Sequence, residues 1–218
     1  MTPPKEQPPT RRERERERHR REILCAAEEI FSLKGIAGTT IEDIAKRADY
    51  AVGSIYNFFT GKEDLIRHVH LRLIKSRIAD IEKHVLPLTH DPEAALRALT
   101  ELWVSHYTRH GAFLRMAFTF KMTGMKHPHE PSCDEEIKES REHYEHVGSR
   151  FFADGIKTGH FHPLPPEHLM LIFEGICRGF HFSWERHSNN RPKTELANEL
   201  YTAVLAALTG KCHAKTAE

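Results

Sequence analysis

Apolar residues recur at spacings of three and four along most of this chain, which is the period of amphipathic α-helices. In the N-terminal part the pattern predicts a helix over residues 18–35, which Gly35 ends, and a shorter helix over 40–48. Thr39 and Glu42 have the spacing of a capping box, in which each side chain accepts a hydrogen bond from the backbone amide of the other. They are predicted to start the second helix.

A third short helix over 52–58 is predicted after a three-residue turn, and a long fourth helix follows it. Thr60 and Glu63 have capping-box spacing at the start of the fourth helix. Pro87 is predicted to stop this helix, because proline lacks the amide hydrogen that a helix needs.

The C-terminal part contains further helical patterns, and Gly111 is predicted to separate the first two of them. The predicted helices cover residues 91–110, 112–122, 133–158 and 166–187, and a last helix follows Pro192. Since no stretch shows the period of two that indicates a β-strand, the predicted fold class is all-α.

Composition excludes several classes of protein. The chain has 218 residues, of which 39% are hydrophobic and 29% charged, so it can build one large or two small cores without disulfides. Its apolar runs are far shorter than the roughly 20 residues that span a membrane, and its N-terminus is rich in Arg and Glu. We therefore expect a cytoplasmic protein with no membrane partner, whose four cysteines are reduced thiols.

The first residues combine many prolines with a strong charge pattern. Residues 1–10 include four prolines, and the segment from Lys5 to Arg21 contains eight basic and four acidic residues. Residues 1–17 are predicted to be a disordered basic arm. The charged run has two interpretations, a solvated helix start with Glu/Arg pairs or a segment that contacts DNA phosphates.

The predicted helices 18–35, 40–48 and 52–58 have the arrangement of a helix-turn-helix DNA-binding domain. The third must keep small or polar side chains outward to enter a major groove about 12 Å wide, which suits Ser54 and Asn57. The alternative is a helical hairpin that serves only packing.

The run from Gly35 to Lys62, GIAGTTIEDIAKRADYAVGSIYNFFTGK, resembles the tetracycline-repressor (TetR) family of bacterial regulators. It has the family's order of Thr-Thr, Ile-Ala-Lys-Arg-Ala, Gly-Ser-Ile-Tyr and Phe-x-x-Lys. The resemblance implies phosphate contacts from Thr40, Tyr56 and Lys62, and implies that the residues near base edges are Ala51, Val52, Ser54 and Asn57. Asp49 stands where the family commonly has glycine, and aspartate tolerates left-handed backbone better than most residues.

The resemblance also implies a homodimer formed by the last two helices and an effector pocket between the middle ones. The predicted domains are a DNA-binding domain over 18–66, a ligand-binding and dimerisation bundle over 67–210, and a tail over 211–218. The candidate dimer residues form apolar stripes, for which an intramolecular core is the alternative. They are Leu169, Ile172, Ile176, Phe180, Leu196, Leu200, Val204 and Leu208.

Aromatic residues concentrate in the predicted bundle and suit a pocket for a hydrophobic small molecule, although core packing explains the same residues. The candidate pocket residues are Trp103, His106, Tyr107, His110, Met116, Phe120, Tyr144, Phe151, Phe173 and Cys177.

The 17 histidines suggest a metal site, and His143 and His146 lie one helical turn apart beside Glu139 and Glu142. No three of these residues form a known compact ligand motif, so we predict no metal and no cofactor. Catalytic motifs such as G-x-S-x-G and H-E-x-x-H are missing, so no enzymatic activity is expected.

The chain is therefore predicted to be a repressor that a hydrophobic small molecule releases from a palindromic double-stranded DNA operator. The alternatives are an effector-free architectural DNA binder of the same fold and a metal-responsive regulator.

Overall fold

The computed structural model describes residues 10–123, 131–187 and 192–209, and these residues form eight α-helices, one 3-10 turn and no β-strand. The all-α prediction is confirmed. The helices are α1 Arg11–Lys34, α2 Ile41–Ala48, α3 Val52–Tyr56, α4 Lys62–His84, α5 Pro92–Thr123, α6 Pro131–Lys157, α7 Pro166–His187 and α8 Lys193–Thr209, and the 3-10 turn is Leu86–Leu88.

Helix α1 begins seven residues earlier than predicted, so the predicted disordered arm is wrong for residues 11–17. The hydroxyl of Thr10 accepts from the Glu13 amide at 3.3 Å, and the Glu13 carboxylate accepts from the Thr10 amide at 2.7 Å. This capping box and the exposed Arg/Glu pairs that follow favour helix over coil. Residues 1–9 lie outside the described part of the chain, as does the predicted tail.

Helix α2 ends where predicted, but its start and its cap are each shifted by one residue. Thr40 is the N-cap, and its hydroxyl accepts from the Asp43 amide at 3.2 Å. Thr39 is buried instead, and its hydroxyl donates to the Gly35 carbonyl at 2.7 Å. The predicted box of Thr39 and Glu42 is therefore wrong, because Thr39 ties α2 to the end of α1.

Other boundaries also differ from the predictions, and α3 ends at Tyr56 instead of residue 58. At the start of α4 the Thr60 amide donates to Asp64 at 2.8 Å, and not to Glu63. Helix α5 runs through Gly111 without a break. An interior glycine costs a helix only about 1 kcal/mol, which the surrounding helical ladder and packing outweigh.

The described residues divide into two compact units. The first comprises residues 10–70, 112–123 and 131–133, and the second comprises residues 71–111, 134–187 and 192–209. The boundary after residue 70 lies near the predicted one, but the segment from Ala112 joins the first unit. Phe113 explains this grouping because its buried ring lies 6.2 Å from the ring of Phe31 in α1.

The core of the second unit contains the apolar stripe of α8 and the aromatic rings that pack near the end of α6. Leu169 and the α8 residues Leu196, Leu200, Val204 and Leu208 are fully buried within a single protomer. Their prediction as dimer residues is wrong, because they present no surface to a second copy. The alternative of an intramolecular core holds for them.

None of the described helices is both long enough and apolar enough to cross a membrane.

Candidate functional site

Helix α3 presents a polar outer face because two apolar side chains, one aliphatic and one aromatic, anchor its inner face. Ile55 and Phe59, four residues apart, are buried in the core of the first unit. Ser54 is half-buried, and Tyr56 and Asn57 are exposed. Their side chains make no hydrogen bond to the described residues, so a hydroxyl, a phenol and an amide remain available to an external partner.

The turn between α2 and α3 depends on Asp49, which adopts φ 60 and ψ 44 in the left-handed region. The amide of Tyr50 donates to the Ala45 carbonyl at 2.9 Å and closes the end of α2. This confirms that aspartate serves where the family commonly has glycine. The turn places Ala51, exposed, and Val52, half-buried, at the start of α3.

The two remaining phosphate candidates differ in how much of their hydrogen-bonding capacity is free. Thr40 is exposed at the N-terminus of α2, where its hydroxyl accepts from the Asp43 amide and also interacts with the Asp43 carboxylate. Lys62 is half-buried, and its ammonium donates to the carbonyls of Ile36 at 3.2 Å and Thr39 at 3.1 Å. Lys62 therefore has a structural role that the sequence did not indicate, with one of its three N–H groups left over.

The arginine-rich part of α1 packs beside the residues that follow α3, a contact that sequence reasoning missed. The guanidinium of Arg16 lies 5.8 Å from the centre of the Phe58 ring, and that of Arg20 lies 5.2 Å from the centre of the Phe59 ring. His19 meets the ring of Tyr50 edge-on at 5.6 Å. Arg16, His19 and Arg20 are spaced by three and four residues. A predicted α1 that included Arg16 would therefore have indicated that they share one face of the helix.

A hydrogen bond between α1 and the turn completes this contact. The phenol of Tyr50 donates to the Glu22 carboxylate at 2.6 Å. The bond lowers the pKa of Glu22 and raises that of Tyr50, because it stabilises the carboxylate and the neutral phenol together. Tyr50 thus fixes the turn against α1.

In the second unit, several effector candidates gather around a residue that was not predicted. Arg77 of α4 donates to the phenol of Tyr144 at 2.5 Å and lies 3.8 Å from the Glu174 carboxylate. Burial raises the pKa of Tyr144, which keeps its phenol neutral. Trp103 and Tyr107 are buried and stack with ring centres 3.7 Å apart.

Two histidines on α5 belong to the same region. The His106 Nε2–H donates to Asp80 at 2.9 Å, and burial lowers the pKa of His106. His110 is buried 5.9 Å from the His106 ring, and burial together with Arg109 and Arg72 lowers its pKa to about 4. Both rings are therefore neutral at pH 7.

The other candidates lie in a different environment. Phe151 packs with Phe161 at 5.5 Å, and Phe173 is fully buried in the same aromatic cluster. Cys177 is a buried thiol whose pKa burial raises. The side chains of Met116 and Phe120 lie outside the described residues. The structure thus brings Trp103, His106, Tyr107, His110 and Tyr144 together and places Phe151 and Phe173 in a packed core.

Helix α7 carries an exposed apolar face. Leu171 is 66% exposed and Phe182 is 55% exposed, and Gly175 and Gly179 lie between them on the same side of the helix. An added Cβ on either glycine would meet no atom within 4 Å. The predicted dimer residues Ile172, Ile176 and Phe180 are half-buried beside this face.

Among the residues whose side chains the structure describes, no group of three or more His, Cys, Asp or Glu side chains is arranged to hold a metal ion. His143 instead lies 3.4 Å from Glu82. The metal-responsive alternative gains no support from this part of the chain.

Comparison with known proteins gives matches to regulators. Residues 23–69 match the family described as bacterial regulatory proteins, tetR family. Over 191 residues the chain is 27% identical to the uncharacterised HTH-type transcriptional regulator YhgD of Bacillus subtilis. This match covers 86% of this chain and 95% of that protein. Over 108 residues it is 35% identical to the HTH-type transcriptional repressor NicS of Pseudomonas putida, which covers 50% of each.

One solved structure with a similar fold contains a bound molecule. The transcriptional regulator FadR from Bacillus subtilis in complex with stearoyl-CoA has a TM-score of 0.65 to this chain, at 17% identity. The match covers 85% of this chain and 97% of that one. At this identity the likeness concerns the fold alone.

Proposed function

Because residues 23–69 match the tetR family of bacterial regulatory proteins and the chain is similar to HTH-type transcriptional regulators, we propose that it is a DNA-binding regulator of that family that represses transcription as a homodimer in the cytoplasm. A hydrophobic small molecule releases it from a palindromic double-stranded DNA operator. The observation that carries this proposal is the outer face of α3, where Ser54, Tyr56 and Asn57 keep unused polar groups.

The DNA contacts divide into two classes. Thr40 and Tyr56 hold phosphates, with the remaining N–H of Lys62, and these contacts position the protein without reading sequence. Asn57 reads an adenine edge, and Ala51 and Val52 contact thymine methyl groups. Arg16 and Arg20 strengthen the positive potential beside α3, which supports the second interpretation of the N-terminal charge run.

The exposed face of α7 supports the homodimer. A second copy of the same helix covers Leu171 and Phe182, and Gly175 and Gly179 let the two helices approach closely. Two copies then present two α3 helices to half-sites separated by one turn of DNA or a multiple of it.

Release of DNA follows from a shift between two states of the dimer. Helix α4 carries Leu65 and Val69 of the first unit and Arg77 of the second on one continuous element. A ligand that binds beside Arg77 favours the state in which the two α3 helices are wrongly spaced for the operator. The size of the shift in population is limited by the difference in the ligand's affinity for the two states.

Selection of bound fragments from a random duplex library tests the proposal for DNA. We expect a palindromic consensus whose binding weakens steeply with salt, and an Asn57→Ala variant that relaxes one position of each half-site. A selection that enriches no sequence, with binding set by salt alone, would contradict it.

Sedimentation of a Gly175→Leu variant tests the dimer. The protomer has open space at this position, so a leucine harms only a close approach by a second copy, and we expect monomers at concentrations where the wild type is dimeric. Ala79→Leu is the matched control because Ala79 is an exposed small residue on α4. A Gly175→Leu protein that stays dimeric would place the interface elsewhere.

A second candidate function is an effector-free architectural DNA binder, which the small size of the void among the candidate pocket residues favours. The void beside Arg77 and Trp103 has a volume of only about 10 Å³. In that case no small molecule alters the affinity for the operator, whereas a ligand-responsive repressor loses operator affinity when its effector binds.

A further inference from the structure

The small void in the second unit combines an apolar lining with three polar side chains. Aliphatic residues of α4 and α5 and the ring of Trp103 form its apolar walls, and Arg77, His106 and Tyr144 supply the polar groups. Its volume of about 10 Å³ corresponds to roughly one water molecule. The polar groups therefore surround a space that suits a single hydrogen-bonding atom.

His106 provides an acceptor at this void. Its side chain is only 10% exposed, and its Nε2–H donates to the Asp80 carboxylate at 2.9 Å. Its Nδ1 is buried and has no hydrogen-bond partner among the described residues. Since burial lowers the pKa of this histidine, the ring is neutral and Nδ1 carries a lone pair.

Arg77 provides donors at the same void. Its guanidinium has five N–H groups, of which one donates to the Tyr144 phenol, and its carboxylate partner Glu174 is 3.8 Å away. No other hydrogen bond joins Arg77 to the described residues. Arginine offers no acceptor, so any atom that binds it must accept.

We propose that this void binds the hydroxyl group of an otherwise apolar effector, with the oxygen accepting from Arg77 and the hydrogen donated to His106 Nδ1. A hydroxyl has both capacities, whereas an ether or a carboxylate offers no proton to His106. The inference deepens the proposed effector site and rests on it. Because the void holds only about one water, the rest of the molecule must part the lining side chains.

Three probes with one apolar body test this choice of ligand. Calorimetric titration of the full-length protein compares para-hexylphenol, its methyl ether and para-hexylbenzoate. We expect the phenol to bind about tenfold more tightly than either, because the other two leave the buried nitrogen lone pair unsatisfied. Equal binding of the three, tightest binding of the benzoate, or no binding of the phenol would overturn the proposal.

A His106→Phe variant assigns the preference to this residue. The substitution keeps a flat ring and removes the acceptor, so phenol affinity falls about tenfold while affinity for the methyl ether is unchanged. His168→Phe is the matched control, since His168 is an exposed histidine on α7. A variant that keeps the full phenol preference would contradict the assignment, and the wild-type comparison of probes stands even where the variant folds poorly.

The outcome separates this inference from the proposed function. A protein that binds its selected operator and shows no phenol preference contradicts the inference and leaves the DNA-binding proposal intact. A protein that prefers the phenol and keeps its operator affinity when saturated with it has the ligand site but is not a repressor that this molecule releases.

Discussion

The ammonium of Lys62 donates a hydrogen bond of 3.1 Å to the carbonyl of Thr39, the residue immediately before the N-cap of α2. The same group also binds the carbonyl of Ile36. Lys62 therefore holds the α1–α2 loop, and one N–H is left over for the phosphate contact proposed above. This lysine of the family motif therefore has a structural role within the protein itself.

Replacing Lys62 with alanine should lower the free energy of unfolding by about 1 kcal/mol, because two carbonyls lose a charged donor in a half-buried site. Operator affinity should fall as well, and the salt slope should flatten by about one. Urea unfolding and salt-dependent DNA titration measure the two effects. Lys46→Ala is the control for stability, since Lys46 is exposed and its side chain makes no hydrogen bond or ion pair to the described residues. Unchanged stability would contradict the structural role.

Replacing Tyr56 with phenylalanine should weaken binding to all sequences equally and leave stability unchanged. Tyr56 is 55% exposed, and its hydroxyl makes no hydrogen bond to the described residues. The substitution therefore removes only a hydrogen bond to an external partner. Fluorescence anisotropy with operator and random duplexes measures the effect. An altered base preference at constant overall affinity would assign Tyr56 to base reading instead.

The sequence predicted the helix order of the first unit well because short-range rules determine it. The inward positions Ile55 and Phe59 are four residues apart, as helical spacing requires, and the family resemblance implied a left-handed residue at Asp49 because glycine is common there. The cap of α2 was misplaced because Thr39 and Thr40 both have a carboxylate three residues later. Only the burial of Thr39 against the end of α1 decides between them.

The second unit was harder to predict because packing between helices determines it. The stripe on α8 fits a dimer seam and an internal core equally well in sequence, and burial within one protomer assigns it to the core. The sequence did not indicate a buried role for Arg77, because a single arginine on a charged helix is usually exposed to solvent. Its role depends on Tyr144 and Glu174, which are distant in sequence.

Replacing Gly155 with alanine should destabilise the second unit by about 1–3 kcal/mol. A Cβ at this position would lie 2.2 Å from the ring of Phe161, which is itself buried among other phenylalanines and cannot move away freely. Urea unfolding monitored by circular dichroism measures the loss. Gly53→Ala is the matched control, because nothing lies within 4 Å of a Cβ on this glycine in α3. Equal effects of the two substitutions would show that the Phe161 ring yields.

Lowering the pH should destabilise the protein through His110. Burial lowers its pKa from 6.5 to about 4, so the folded state disfavours the proton that the unfolded state takes up below pH 6.5. Stability from this residue is therefore intact above that pH and is lost as pH falls toward 4. Between about pH 7.5 and about pH 5 the loss amounts to about 2 kcal/mol. A His110→Phe variant should lack this component, so urea unfolding of both proteins at each pH isolates it from the other histidines. Parallel pH profiles for the two proteins would mean that His110 takes up its proton in the folded state without penalty.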